Sequence, residues 1–225
     1  MTTLRLDDLR QHSDLLRSRS GELVTVRFVE PEDGEALQAY FRVLSVRSRY
    51  NRFLGAMSEL SNTELAHFTH TGEDDRFSVI AVMTVDGVET IIGEARYGFE
   101  PATSSFEFGL SIDDRWQGHG IGSALLANLQ CRAAAFGAVR LFGDTLRSND
   151  VMIGLARKSG FAFMPSPGDW KLVRFEKHID TAPQDIPREL AARGARQRAS
   201  GRGLKAQLPL NTALRFSIKA CTASR

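Results

Sequence analysis

The chain of 225 residues contains no apolar run long enough to cross a membrane. Such a span needs roughly 18 consecutive apolar residues, and the N-terminal residues also lack the apolar core of a signal peptide. Only two cysteines are present, Cys131 and Cys221, and they show no metal-ligand spacing, which suits a reducing compartment. The five histidines form no zinc-binding pattern. These absences predict a cytoplasmic protein that is not associated with a membrane and has no metal.

Acidic residues are nearly missing from the C-terminal segment. Residues 188–225 contain nine Lys and Arg but one acidic residue, so they carry +8 while the rest of the chain carries −6. Their Arg, Ala and Gly content is typical of a solvated extension. The segment could instead contact an anionic partner or the acidic body of the protein. Because it has no aromatic residue besides Phe216, its composition disfavours nucleic acid as that partner.

Hydrophobic periodicity predicts one folded domain over residues 21–180, between an N-terminal extension (1–20) and a basic tail (181–225). Ser61 and Glu64 form a capping box that starts a helix, and Asp86 and Gly87 form a hairpin turn. The predicted helices are 4–16, 32–44, 61–67, 120–136 and 150–159, and the predicted strands are 21–28, 77–85, 88–97, 105–112, 140–145, 161–164 and 171–177. The domain is therefore expected to have an α/β fold in which an antiparallel meander precedes a β-α-β-α-β series.

A glycine loop, Gln-Gly-His-Gly-Ile-Gly-Ser at residues 117–123, joins a predicted strand to a predicted helix. Glycines bring backbone N–H groups close to an anion, and the helix N-terminus adds its positive dipole end. The loop is therefore predicted to bind a pyrophosphate. It is not an NTPase loop, because Ala124 stands where that motif continues, and its place after several strands disfavours a dinucleotide fingerprint.

The Gln-x-x-Gly-x-Gly pattern, with Asn149 and the Lys-Ser-Gly-Phe segment at 158–161, resembles the GNAT superfamily of N-acyltransferases. The resemblance covers residues 24–177. It implies a central mixed sheet with helices on both faces and two splayed strands, here 105–112 and 140–145. An acyl-pantetheine would lie between those strands, and the loop would grip the pyrophosphate of acetyl-CoA.

Residues 49–53, 60–65, 67–70, 77–81 and 149–161 look like the catalytic domain of bacterial protein lysine acetyltransferases. That resemblance implies an acceptor lysine on a protein such as an acyl-CoA synthetase. Those enzymes usually carry a large nucleotide-binding or regulatory domain as well, and we expect none of that size here. Two alternatives remain open: acetylation of a small amine, or a non-catalytic acyl-CoA-binding module that uses only the loop.

Transfer to an amine needs a base, because a lysine with a reference pKa near 10.4 is mostly protonated at neutral pH. Glu107 lies in the strand before the loop, on the face opposite Phe106 and Phe108, and matches the catalytic Glu of the similar enzymes. Glu94 is the second candidate. The competing interpretation of either residue is a charge on a solvated strand face, paired with Arg96 or another cation.

The resemblance also implies the residues that bind acetyl-CoA. The strand end would offer backbone groups to pantetheine, the loop would hold the pyrophosphate, and Asn149 would contact the cofactor arm unless it serves only as a helix N-cap. These residues are Leu110, Ser111, Ile112, Gln117, Gly118, His119, Gly120, Ile121, Gly122, Ser123 and Asn149. Ala156 occupies the place where many members have a proton-donating Tyr. A thiol with a pKa near 8.5 can leave without that acid.

Overall fold

The central element of the fold is a mixed β-sheet, seen in a computed structural model that describes residues 13–71, 76–135 and 138–179. Within this part of the chain the sheet has eight strands in the order β1-β2-β3-β4-β5-β6-β8-β7. The strands are β1 (Ser13–Arg17), β2 (Leu23–Phe28), β3 (Arg76–Val85), β4 (Val88–Glu100), β5 (Ser105–Ile112), β6 (Arg140–Leu146), β7 (Ala162–Pro165) and β8 (Leu172–His178). The predicted basic tail and Cys221 lie outside the described residues.

Helices cover both faces of the sheet, as the resemblance implied. They are α1 (Gly34–Val43), α2 (Val46–Phe53), α3 (Asn62–Thr69), α4 (Ile121–Ala135) and α5 (Asp150–Lys158). Leu125 and Leu129 of α4 pack in one core with strand residues such as Phe106, whereas Phe41 of α1 and Phe68 of α3 belong to a second core. The predicted α/β fold with a mixed sheet is confirmed.

Several local sequence signals form the structures they predict. Ser61 accepts a hydrogen bond from the Glu64 N–H, and the Glu64 carboxylate accepts one from the Ser61 N–H, which completes the capping box of α3. Asp86 and Gly87 have φ of 50° and 82°, the left-handed pair that a tight hairpin needs. These signals succeed because the contacts that they depend on are local.

Two elements differ from the sequence prediction. Residues 13–16 were expected to end a helix, but they belong to β1, which pairs antiparallel with β2 and buries Leu16. The helix prediction is wrong there because pairing with a long-range partner overrides local preference. Helix α2 was not predicted; it begins at the N-cap Ser45, whose hydroxyl accepts from the Ser48 N–H, and has no buried residue to give it an apolar stripe.

Candidate active site

The glycine loop lies between β5 and α4, after one 3-10 turn at Asp114–Trp116. Gly118 and Gly120 have φ of +81° and +86°, a conformation that side chains make costly. A Cβ on Gly120 would also lie 2.8 Å from Cγ of Arg19, whose backbone N–H donates to the carbonyl of His119. The hairpin between β1 and β2 therefore packs against the loop and fixes its path.

The loop presents a row of free backbone donors. In the described part of the chain, no N–H from residue 118 to residue 123 donates a hydrogen bond to another residue. The first helical bond in this region runs from the Ala124 N–H to the Gly120 carbonyl at 3.0 Å. Converging N–H groups at a helix N-terminus are a ready site for an anion such as a pyrophosphate, and these residues fit one.

Strands β5 and β6 separate soon after they meet. Their parallel pairing covers three positions only, the last being Glu107 with Phe142. Gly143 follows, where a Cβ would lie 2.7 Å from the Phe108 carbonyl oxygen and 2.7 Å from Cζ of Phe175. Beyond this close approach β6 pairs only with β8, along its other edge, and no described strand pairs with the facing edge of β5. The splay that the resemblance implied lies between the two expected strands.

A first cleft of about 560 Å³ runs from this gap to the glycine loop. It is lined by most of the residues expected to bind acetyl-CoA, namely Leu110, Ser111, Ile112, Gln117, Gly118, Gly120, Gly122, Ser123 and Asn149. His119 and Ile121 are not among its walls: the His119 ring nitrogen contacts the Gln117 carbonyl, and Ile121 is buried in the core. Exposed Arg19, Arg47 and Lys158 add positive charge to the cleft.

Asn149 serves as the N-cap of α5. Its side-chain oxygen accepts from the Met152 N–H at 3.2 Å, and its side-chain nitrogen donates to the Thr145 hydroxyl at 3.0 Å. The side chain is buried but still borders the first cleft. The structure therefore shows the capping role, while a cofactor contact stays a prediction.

A second cleft, of about 900 Å³, opens on the sheet face that carries α1 and α3. Glu107 lines this cleft and is exposed. The two clefts share four wall residues where β5 and β6 separate: Arg52, Phe108, Gly109 and Asp144. The second cleft therefore meets the first at the splay, and Glu107 faces the second.

Glu94 differs from the expectation of a solvated strand face. Its side chain is 0 % exposed and accepts hydrogen bonds from Arg52 Nε at 2.6 Å, Arg52 Nη2 at 3.0 Å and the Ser111 hydroxyl at 2.6 Å. The Tyr40 hydroxyl lies 3.0 Å from the Ser111 hydroxyl and extends the network. For Glu94 the expectation of a solvated face is wrong, because Arg52 of α2 covers this part of the sheet, whereas the expectation of a pair with a cation other than Arg96 is confirmed.

This network shifts the ionisation of its members. Burial raises the pKa of Tyr40 well above its usual range, and the nearby Glu94 charge raises it further. Burial lowers the pKa of Arg52, but the Glu94 carboxylate outweighs that effect and the net shift is upward. Arg52 therefore stays charged, and its Nη1, which makes no hydrogen bond in the described residues, lies 2.8 Å from where a Gly109 Cβ would be.

Sequence reasoning missed Arg19 and Arg52 as residues of the site. Arg52 lies within a segment that carried the resemblance, but nothing in the sequence indicates that it reaches a carboxylate 42 residues away.

Ala156 is fully buried and offers no proton donor. Among the described residues there is no cluster of His, Cys, Asp or Glu able to hold a metal. No helix in the same part of the chain is both long and apolar enough to cross a membrane.

Comparison with known proteins agrees with this geometry. The "Acetyltransferase (GNAT) family" model matches residues 40–161. The crystal structure of the GNAT domain of S. lividans PAT has 26% sequence identity and a TM-score of 0.68, over 78% of this chain and 99% of that one. A Pseudomonas aeruginosa acetyltransferase, PA5475, is 26% identical over 149 residues, which are 66% of this chain and 80% of that protein.

A longer protein shares the fold only. The cAMP-binding acyltransferase from Mycobacterium smegmatis has 22% identity and a TM-score of 0.52, over 96% of this chain, and this chain spans 60% of its length.

The family model covers more than half of the 225 residues and includes the splayed strand β5, the glycine loop and α5. The chain belongs to the GNAT acetyltransferase family and is an acetyl-CoA-dependent N-acyltransferase.

Proposed function

We propose that the protein transfers the acetyl group of acetyl-CoA to the lysine side chain of a protein such as an acyl-CoA synthetase. The observation that carries the proposal is the meeting of the two clefts at Arg52, Phe108, Gly109 and Asp144. A thioester in the first cleft and an amine in the second would come together at the splay of β5 and β6.

The first cleft supplies the groups that acetyl-CoA needs. The unpaired N–H groups of residues 118–123 would hold the pyrophosphate, and Arg19, Arg47 and Lys158 would attract the phosphates. Beyond Glu107 the edge of β5 lacks a neighbouring strand, so its backbone can pair with the pantetheine amides as an added strand would. This arrangement would place the thioester beside Gly109.

Glu107 would act as the general base. It removes a proton from the lysine ammonium, directly or through water, and the neutral amine attacks the thioester carbonyl. The new C–N bond forms, the nitrogen gives its second proton to water, and the C–S bond breaks so that the coenzyme leaves as a thiolate. Because Ala156 offers no proton, the thiolate takes one from water, which a thiol with a pKa near 8.5 permits.

The second cleft favours a protein acceptor over a cationic small amine. Arg52, Arg76, Arg96 and Arg140 line it together with Glu100, Glu107 and Asp144, so it is not the predominantly acidic pocket that a polyamine needs. A small amine needs a closed acidic pocket, whereas this cleft is wide and opens at the surface. The fold likeness to the GNAT domain of S. lividans PAT supports the same choice.

Acetyl-CoA turnover against a panel of acyl-CoA synthetases, lysine peptides and small amines tests the proposal. We expect acetylation of at least one synthetase, with mass spectrometry locating the group on a lysine, and no turnover of polyamines. Turnover of small amines alone would assign the protein to that class. Calorimetric binding of acetyl-CoA without transfer to any acceptor would show a binding module.

A further inference from the structure

The second cleft is lined by arginines and carboxylates, and two of its arginines are not held in a salt bridge within the described residues. Arg52 pairs with Glu94, and Arg140 lies 3.2 Å from Glu176. Arg76 and Arg96, by contrast, form no salt bridge with any residue in the described part of the chain. Glu100, Glu107 and Asp144 line the same cleft, but none of them forms a salt bridge with Arg76 or Arg96, and a guanidinium group without a direct partner can bind an anion.

The register of the sheet places Arg96 next to Glu107. Arg96 is opposite Gly109 and Gly98 is opposite Glu107 in the antiparallel pairing of β4 with β5. Arg96 and Glu107 are therefore diagonal neighbours on one face, about 7–8 Å apart at the backbone. The two glycines contribute no side chain. Arg52 fills the space over Gly109, whereas the nearest atom to a Cβ on Gly98 would be Arg76 Cγ at 4.0 Å, so the room between the carboxylate and the guanidinium lies over Gly98.

The surroundings of Arg96 hold its guanidinium in place. Its central carbon lies 5.3 Å from the centre of the Phe68 ring, and that of Arg52 lies 5.9 Å from the same ring. Burial lowers the pKa of Arg96, and the charges of Arg52 and Arg76 lower it further. Two like charges thus flank one aromatic ring. Glu94 and Glu64 favour the charged form of Arg96, but the net shift of its pKa stays downward, so an anion beside Arg96 would relieve the remaining repulsion.

We propose that the enzyme selects an acceptor lysine flanked by an acidic residue, whose carboxylate binds Arg96 while the lysine amine lies at Glu107. This inference rests on the proposed function and names its substrate class. A carboxylate–guanidinium pair is charge-assisted and can be bidentate, so it gives both affinity and direction to the bound peptide. Arg76, on the neighbouring strand β3, adds positive charge to the same wall.

Two peptides test the inference. One has a single lysine flanked by Asp or Glu, and the other has Asn or Gln at the same places. We expect kcat/KM for the acidic peptide to be about tenfold higher or more, as for hydrogen bonds to charged groups. Arg96→Gln should bring the ratio near one, whereas Arg96→Lys should keep part of it. Arg42→Gln, which removes an exposed arginine of α1 that pairs with Glu59, should keep the full ratio.

Binding is measured as well, by anisotropy of the labelled peptides, so that the result does not depend on catalysis. If the wild type binds the acidic peptide more tightly and Arg96→Gln abolishes this preference, the inference is supported. This holds even if neither peptide is acetylated, in which case only the proposed function fails. A wild-type ratio near one in both assays overturns the inference and leaves lysine acetylation standing. Preference for a small anionic amine over both peptides also overturns it. Melting curves show whether Arg96→Gln is folded, and Arg96→Lys serves in its place if it is not.

Discussion

Replacement of Glu94 by Gln should destabilise the fold severely, because it leaves the charge of Arg52 uncompensated in the protein interior. The Glu94 carboxylate is 0 % exposed and the Arg52 side chain only 13%. Breaking a buried pair by removing one charge costs about 3–5 kcal/mol. A kilocalorie shifts the melting temperature of a domain of this size by about 2–4 °C, so we expect a fall of roughly 6–20 °C.

Urea unfolding, followed by the fluorescence of Trp116 and Trp170, measures the free energy directly. Glu59→Gln is the matched control, because it removes the same charge from an exposed pair with Arg42 and should cost less than about 1 kcal/mol. Arg52→Met should also destabilise the protein, since it strands the Glu94 carboxylate. The double variant should cost less than the sum of the two, with a coupling of about 2–3 kcal/mol.

A loss below about 1 kcal/mol in Glu94→Gln would refute the argument, because removal of one charge from a buried ion pair costs more than that. A large fall in kcat at unchanged stability would instead indicate that Glu94 is the base that Glu107 is proposed to be. Independent, additive effects of Arg52→Met and Glu94→Gln would show that the two side chains do not act together.

Three further predictions follow from the site and the core. Glu107→Gln should lower kcat about a hundredfold or more with little change in acetyl-CoA affinity; full turnover at neutral pH would exclude Glu107 as the base. Gly120→Val should abolish acetyl-CoA binding measured by calorimetry, because a β-branched residue at φ +86° distorts the loop and its Cβ would clash with Arg19. The control variant Gly55→Ala should bind acetyl-CoA normally. Equal affinities of the two variants would contradict the loop site. Burial raises the pKa of Tyr97 to about 12. Above pH 10 the tyrosine therefore loses its proton in the unfolded chain before it does so in the folded protein. The free energy of unfolding should consequently fall by about 2–3 kcal/mol between about pH 10 and pH 12. Tyr97→Phe should remove that part of the fall in pH-dependent urea unfolding, and an identical slope in both proteins would refute it.

The sequence by itself determined the features that depend on local chemistry. The glycines of residues 117–123 predicted the loop, since the left-handed φ of Gly118 and Gly120 is a local demand of the backbone. Ser61 predicted the start of α3, and the alternation along β3, β4 and β5 predicted the meander. The resemblance to the GNAT superfamily then indicated where two strands would separate.

The tertiary structure alone decided which side chains meet. Glu94 and Arg96 lie two residues apart on one strand, and the sequence indicated Arg96 or another cation as the partner of Glu94. In the fold, Arg52 from α2 reaches Glu94 instead, which leaves Arg96 facing the second cleft. β1 likewise forms because its backbone pairs with β2 through interstrand hydrogen bonds, and this pairing outweighs the helical preference of its own sequence. Such contacts join residues distant along the chain, so burial and sheet register fix them, and no local pattern encodes them.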